Sequence, residues 1–344
     1  MSAPTPRSYW PLVGALALGL VAFAWLLQRD PASTQALEET SGGAAASSAA
    51  TSSDPAGDAV GLDLGPSETS QGSHQRIALA TAGLVDLVTR LVSPDRVVLL
   101  PEAAMSFSRL AREPGPWAEV PRFEGFQAEP FLAARADLVL GAGWQSPETV
   151  QALRASGVRV VVFELPATWE GVLSEVDAVA ELLEAVPAGR RLRDELTARR
   201  DALRPRATRS GAGRRGVSYT NLGTGGWVAG RGTTADILFS LAGLENAAAS
   251  AGFEGHRQID LEGLLNLRPE LFVVGAANAG EGIASTRAYL EAQPVLAGLP
   301  AIAGGQIVAL PQELYTTASV ELLTAAESLV ETLEALDEGA DTTR

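Results

Sequence analysis

The stretch "EPFLAARADLVLGA", Glu129 to Ala142, has a near copy 133 positions later in "EGLLNLRPELFVVGA", Glu262 to Ala276. With the two glutamates aligned, Arg135 meets Arg268, Asp137 meets Glu270 and Leu138 meets Leu271. Each copy reads as an apolar helix turn, a short loop and a strand ending in Gly-Ala. The match extends to either side. "RGVSYTNL" echoes "RIALATAG", and "GQIVALPQELYTTASVELL" echoes "VRVVVFELPATWEGVL". Three strand–loop–helix units therefore recur in the same order. Continuous Val/Leu runs between helical patterns suit parallel strands buried on both faces. The expected fold is α/β, with two similar Rossmann-like lobes.

Between the copies the strand rhythm stops. From Gly171 to about Ala207 the pattern is helical, first "GVLSEVDAVAELLEAV" and then "PAGRRLRDELTARRDALRPRA". Pro187 suits the first position of the second helix. Arginine and acidic residues lie on most of its faces, which is the pattern of a helix bridging two domains through solvent. One long helix is thus expected to join the lobes. The organisation that follows is an N-terminal lobe at 74–170, a helical connection at 171–210, a C-terminal lobe at 211–338 and a tail at 339–344.

Ahead of the lobes, Arg7 precedes "YWPLVGALALGLVAFAWLL", Tyr9 to Leu27, an uncharged run of nineteen residues. That is just long enough to cross a bilayer core of ~30 Å as a helix. The positive flank places the N-terminus in the cytoplasm and the rest outside. Two readings of 1–29 stand. Ala22-Phe23-Ala24 is a small-residue cleavage site, as in a secretory signal. The apolar run continues past it through Leu27, which favours an uncleaved anchor in the inner membrane. Residues 30–73, rich in Ala, Ser, Thr and Gly, bury too little apolar surface to fold. They read as a flexible tether with an r.m.s. reach of ~35 Å.

Composition narrows the chemistry. The chain has no cysteine and a net charge of −15, and all 26 basic residues are arginine. Disulfides, thiolate metal sites and thiol nucleophiles are excluded, and so is a lipid-bearing cysteine. Nucleic acid is a poor partner for so acidic a chain. No Ser-His-Asp or paired-carboxylate spacing stands out, so no catalytic residue is assigned. The Gly-rich "NLGTGGWVAGRGTTADILF" tempts toward a phosphate loop but has Arg231 and Gly232 where Lys and Ser/Thr are needed. Its glycines are expected to let the chain turn tightly beside a cleft.

In open parallel sheets, ligands bind beyond the carboxyl ends of the strands. The residues that follow the expected strands are Met105 and Phe107, then Trp144 and Gln145, Trp169, Trp227 with Arg231, and Tyr315. Together they suggest an aromatic-lined cleft for a large ligand. Of the two histidines, His74 at the tether junction is expected to be solvated. His256, in "AGFEGHRQIDLEGLL", either hydrogen-bonds its loop or serves as an axial ligand to a haem or corrinoid metal. A bare-metal site is not expected from two histidines and no cysteine.

These stretches resemble the periplasmic solute-binding proteins of ABC transporters for iron-siderophores, haem and cobalamin, over roughly Gln75 to Leu336. The most specific are "VAGRGTTADILFSLAGLENAA", "GFEGHRQIDLEGLLNLRPELFVVG" and "PRFEGFQAEPFLAARADLVLGAG". The resemblance implies two α/β lobes joined by one rather rigid helix, and a monomer without enzymatic activity or an intrinsic cofactor. It implies a transported metal chelate, whether cobalamin, haem or ferric siderophore. It also implies that Glu129 and Glu262 dock onto arginines of an ABC importer's permease dimer. A helix-end acid favourable to the macrodipole is the simpler reading of each glutamate. Two other functions fit the same pattern, a tethered sensor or scaffold and a nucleotide-binding α/β enzyme.

Overall fold

The computed structural model describes residues 62–63, 74–221, 226–275 and 286–341, and Val60–Arg344 form one compact unit. The first sheet has the order β1-β6-β5-β2-β3-β4. Its strands are β1 Leu62–Asp63, β2 Ile77–Leu79, β3 Val97–Pro101, β4 Arg122–Phe123, β5 Leu138–Ala142 and β6 Arg159–Phe163. All but β1 run parallel. Every residue of β2 and β5 is buried, as unbroken apolar runs require when both faces are covered. The chain order reverses between β2 and β5, so the loops beyond their carboxyl ends form the switch-point crevice.

The second sheet has the order β10-β8-β7-β11-β12, with β9 also on β7. Here β7 is Arg215–Asn221, β8 Gly226–Ala229, β9 Glu245–Asn246, β10 His256–Ile259, β11 Leu271–Gly275 and β12 Ile307–Leu310. The parallel set β7-β11-β12 repeats β2-β5-β6, as the echoed sequences predict. The antiparallel pieces β8 and β10 are additional. β8 also occupies the Gly-rich stretch, so a strand stands where a phosphate loop would open a helix.

The longer helices are α1 Ala82–Val88, α2 Ala128–Ala133, α3 Pro147–Ala155, α4 Trp169–Leu182, α5 Val186–Gly211, α6 Thr234–Leu241, α7 Leu261–Leu267 and α8 Leu322–Asp341. The repeat holds down to single hydrogen bonds. Arg135 after α2 and Arg268 after α7 both take the left-handed conformation, with φ of 50° and 47°. That turn aims the next acid back at the start of the adjacent parallel strand, β2 or β7. Asp137 Oδ2 accepts the backbone N–H of Gln75 at 3.1 Å and of Arg76 at 3.2 Å. Glu270 Oε2 accepts that of Arg215 at 3.0 Å. Arg76 then donates to the Ala134 carbonyl and Arg215 to the Leu267 carbonyl, closing the end of each helix.

The connecting helix corrects the solvent-bridging expectation. Gly189, Leu192, Leu196, Leu203, Ala207 and Ser210 of α5 form a buried stripe, against α4 on one side and α8 on the other. The arginines reach across to neighbours rather than to water. Arg193 pairs with Asp177 and Arg200 with Glu170 of α4. Arg199 pairs with Glu327 at 2.6 Å and Arg206 with Glu334 at 2.5 Å on α8. Both partners advance by seven residues, so α5 and α8 run parallel with ion pairs at heptad spacing. Pairs as open to solvent as these contribute little. The larger effect is apolar: one hydrophobic cluster runs from Ile77 and Leu138 of the first lobe through Leu196 of α5 to Val273 and Leu329 of the second.

His74 is not solvated. It is buried, with Nδ1 3.3 Å from Asp137 Oδ1, while its carbonyl accepts from Arg96 at 2.6 Å. The chain is therefore pinned at the amino-terminal edge of the first sheet. Within the stretch expected to be a tether, Leu62–Asp63 pair antiparallel with Val162–Phe163 of β6. An edge strand has unpaired backbone groups, and the nearest extended chain satisfies them. Among the described residues no helix is long and apolar enough to cross a membrane. The apolar run Tyr9–Leu27 lies outside the described residues, as does most of 30–73.

Candidate functional site

The two lobes meet at the carboxyl edges of their sheets. The short helix Ala104–Phe107, just after β3, touches the helix Gln312–Tyr315, just after β12. Met105 and Tyr315 pack against the same shared apolar cluster. Met105 and Tyr315 are therefore brought to the interlobe contact, with Phe107 at the end of the same short helix as Met105. Tyr315 is also committed to its own lobe. Its hydroxyl donates to the Tyr219 carbonyl at 3.2 Å and lies 3.0 Å from Ser218 Oγ and 2.8 Å from Thr220 Oγ1. Burial pushes its ionisation above the usual phenol range. It anchors the loop after β12 to β7, so its hydroxyl is engaged within its own lobe.

In the second lobe Trp227 pairs with Thr220 on one side and Gln258 on the other, while His256 pairs with Ala229. Side chains directly opposite or two residues apart share a face, so Trp227 and His256 lie on the same side of this sheet. Both are half-buried. Burial lowers the proton affinity of His256, favouring a neutral imidazole. Arg231 is exposed in the adjoining turn, where its N–H donates to the Phe253 carbonyl at 2.9 Å. Gly230 makes that crossing possible: a Cβ there would lie 2.1 Å from the Phe253 oxygen.

The other three candidates of the first lobe separate. Trp144 is half-buried on the loop after β5. Gln145 is buried and spent on the backbone. Its Oε1 accepts from Ala142 N–H at 2.9 Å, and its Nε2 donates to the Ala80 carbonyl at 3.0 Å. It clamps the carboxyl ends of β2 and β5 together at the switch point, a positioning role rather than a ligand contact. Trp169 is 5% exposed and belongs to the core cluster. Thr168 caps α4 by accepting from Gly171 N–H, which makes Trp169 the first helical residue and sends its ring inward. The indole N–H has no hydrogen-bond partner among the described residues.

Glu129 and Glu262 are equivalent in space as well as in sequence. Each is exposed in the first turn of its helix, α2 or α7. Each helix leads into a parallel strand, β5 or β11, so its N-terminus lies at the sheet edge where those strands end. Glu129 lines a shallow surface groove with Gln127, Glu148 and Thr149. Sequence reading missed the buried polar residues at the lobe junction, Asp86, Ser319 and Glu321. Asp86 and Ser319 lie 233 positions apart, with no local pattern to mark them. Among the described residues no three His, Asp or Glu side chains gather into a metal site.

The sequence profile of the periplasmic binding protein family matches residues 122–314, more than half of the chain. The chain belongs to the periplasmic binding protein family. No curated protein sequence matches this binding protein. Solved structures share its fold. The periplasmic haem-binding protein RhuT of Roseiflexus sp. RS-1 is 25% identical, with 77% of this chain and 99% of that one covered at a TM-score of 0.66. The vitamin B12-binding protein BtuF of Vibrio cholerae is 18% identical, with 76% and 98% covered at 0.60. A protein of an Fe3+-hydroxamate transport system from Saccharomonospora viridis is 22% identical, with 78% and 93% covered at 0.60.

Proposed function

We propose that this binding protein captures a metal chelate between its lobes and delivers it to the permease dimer of an ABC importer, without catalysing a reaction. The observation that carries the delivery step is the equivalent placement of Glu129 and Glu262, each exposed in the first turn of its helix. A two-fold transporter presents two like sockets, and a two-lobed partner needs two like plugs. Haem, cobalamin and ferric siderophores are the candidate cargoes, since fold relatives are named for each of these classes. The lobes are taken as 74–170 and 211–338, joined through 171–210. The protein works outside the cytoplasmic membrane, held there by an anchor at Tyr9–Leu27, whose nineteen residues carry no charge.

The ligand face then consists of Trp144 from the first lobe, Trp227, His256 and Arg231 from the second, and Met105 and Phe107 at the junction. Neutral His256 is a competent axial ligand for a haem or corrinoid metal. Titrating the protein with each of the three chelates, followed by visible absorption, tests the proposal. One of them should bind saturably with a shifted spectrum, and failure of all three would remove the cargo assignment. Replacing His256 by alanine should abolish any shift that arises from axial ligation.

Closure on binding should be small. The continuous apolar cluster through α5 resists wide hinge motion, because opening would expose core residues such as Leu196 and Leu203. Lobe rotation of a few degrees is expected, and small-angle scattering with and without ligand should give nearly superimposable profiles. A large drop in radius of gyration would contradict it.

A further inference from the structure

The junction between the lobes is built around one buried carboxylate. Asp86 of α1 is fully buried. Its Oδ1 accepts the Arg109 backbone N–H at 2.6 Å, and its Oδ2 accepts the hydroxyl of Ser319, from the second lobe, at 2.7 Å. Ser319 Oγ also accepts from Glu321 N–H at 3.1 Å and lies 2.8 Å from Thr317 Oγ1. The contact is close: a Cβ on Gly83, one turn before Asp86, would sit 3.1 Å from the Ala318 carbonyl oxygen. Beside it, Arg112 of the first lobe donates to Glu321 at 2.9 Å and stands 3.8 Å from Glu313.

This hydroxyl relay has two settings. With Asp86 charged, Ser319 donates to it and accepts from Thr317 and from the Glu321 amide. With Asp86 neutral, the carboxyl donates to Ser319, which turns its own hydroxyl to donate to Thr317 Oγ1 and still accepts from the Glu321 amide. The Asp86–Ser319 bond across the junction is kept either way, so a proton can enter without breaking it. The settings differ in charge. The charged form places a desolvated carboxylate beside Glu321, with Arg109 opposing that repulsion.

We propose that Asp86 is a proton-operated pin between the lobes, firm when neutral and loosened when charged. Burial, with the charge of Glu321 adding to it, raises its pKa from 3.8 to about 7 despite the two donors and Arg109. A raised native value means the folded state holds a proton that the unfolded chain has lost. Its stabilising effect is therefore complete below about 4 and is lost as pH rises through about 7. Opening of the lobes becomes easier on the alkaline side. This concerns the free protein, so it holds whatever the cargo is.

The test uses the full chain without ligand. The protein has no cysteine, so Ala133→Cys and Asn266→Cys, both at exposed positions, give one spin label per lobe. Label distances are compared at about pH 5.5 and about pH 8.5, either side of the expected transition. The distribution should widen at the higher pH, whereas Asp86→Asn, which mimics the neutral form, should stay narrow at both. Glu175 of α4 is also buried and raised to about 7, and the Asp86→Asn arm separates the two groups. Ser319→Ala, which leaves Asp86 in place but removes its partner across the junction, should be wide at both. A wild-type distribution unchanged by pH, an Asp86→Asn response equal to wild type, or a wild-type response in Ser319→Ala would each overturn the proposal.

Discussion

Uptake should collapse when both docking glutamates are reversed, Glu129→Arg with Glu262→Arg, while ligand affinity stays as it was. Both side chains are exposed in the first turn of their helices, far from the core, so the fold has little to lose. The macrodipole prefers an acid there, and each reversal costs the helix only about 0.3–1 kcal/mol. Removing a single charge should weaken docking modestly, because rim ion pairs are often worth ~1 kcal/mol or less. Reversing both puts like charges face to face at two places on one rigid body, and such juxtapositions cost several kcal/mol. The measurement is uptake in a strain that depends on this protein, alongside binding and melting of the purified variant. Normal uptake by the double reversal would reduce the glutamates to helix-end residues, and the repeat would then record only the ancestry of the lobes.

The repeat was legible because its key contacts are local in each copy. A left-handed residue, an acid two positions on and a strand start form one unit, and the pattern Arg135/Asp137 reappears as Arg268/Glu270. The parallel strands were legible for the same reason, each being a short apolar run. The antiparallel β8 and β10 were not, since glycine and polar residues break their pattern. The partners of α5 were hidden by distance along the chain: Glu327 and Glu334 lie 128 positions from their arginines. Read alone, the helix looks solvated on most faces. The candidate site divides by the same rule. Position after a strand end brings a residue to the right edge, but it does not say where the side chain points. Gln145 turned back onto the backbone of β2 and β5, and His74 was drawn in by Asp137, which comes from another strand's approach.

Trp169→Ala should damage folding more than any other substitution among the expected cleft aromatics. Its ring is almost wholly buried in the cluster that spans both lobes, and truncating a buried tryptophan typically costs ~3–5 kcal/mol. Trp144→Ala and Trp227→Ala, at half-buried positions, should leave the melting temperature nearly unchanged. They should instead weaken cargo binding by ~1–3 kcal/mol if the rings anchor the ligand. A third variant separates packing from polarity. The Trp169 indole N–H is buried with no partner among the described residues, and a buried unsatisfied donor costs about 1–3 kcal/mol. Trp169→Phe removes that donor and keeps most of the apolar volume, so it should melt close to wild type and far above Trp169→Ala. Should Trp169→Ala melt like wild type while losing ligand, the ring must face the cleft, and the first-lobe wall would include it after all. Should Trp144→Ala and Trp227→Ala bind normally, the aromatic wall is not the ligand face, and the residues at the lobe junction would have to supply it.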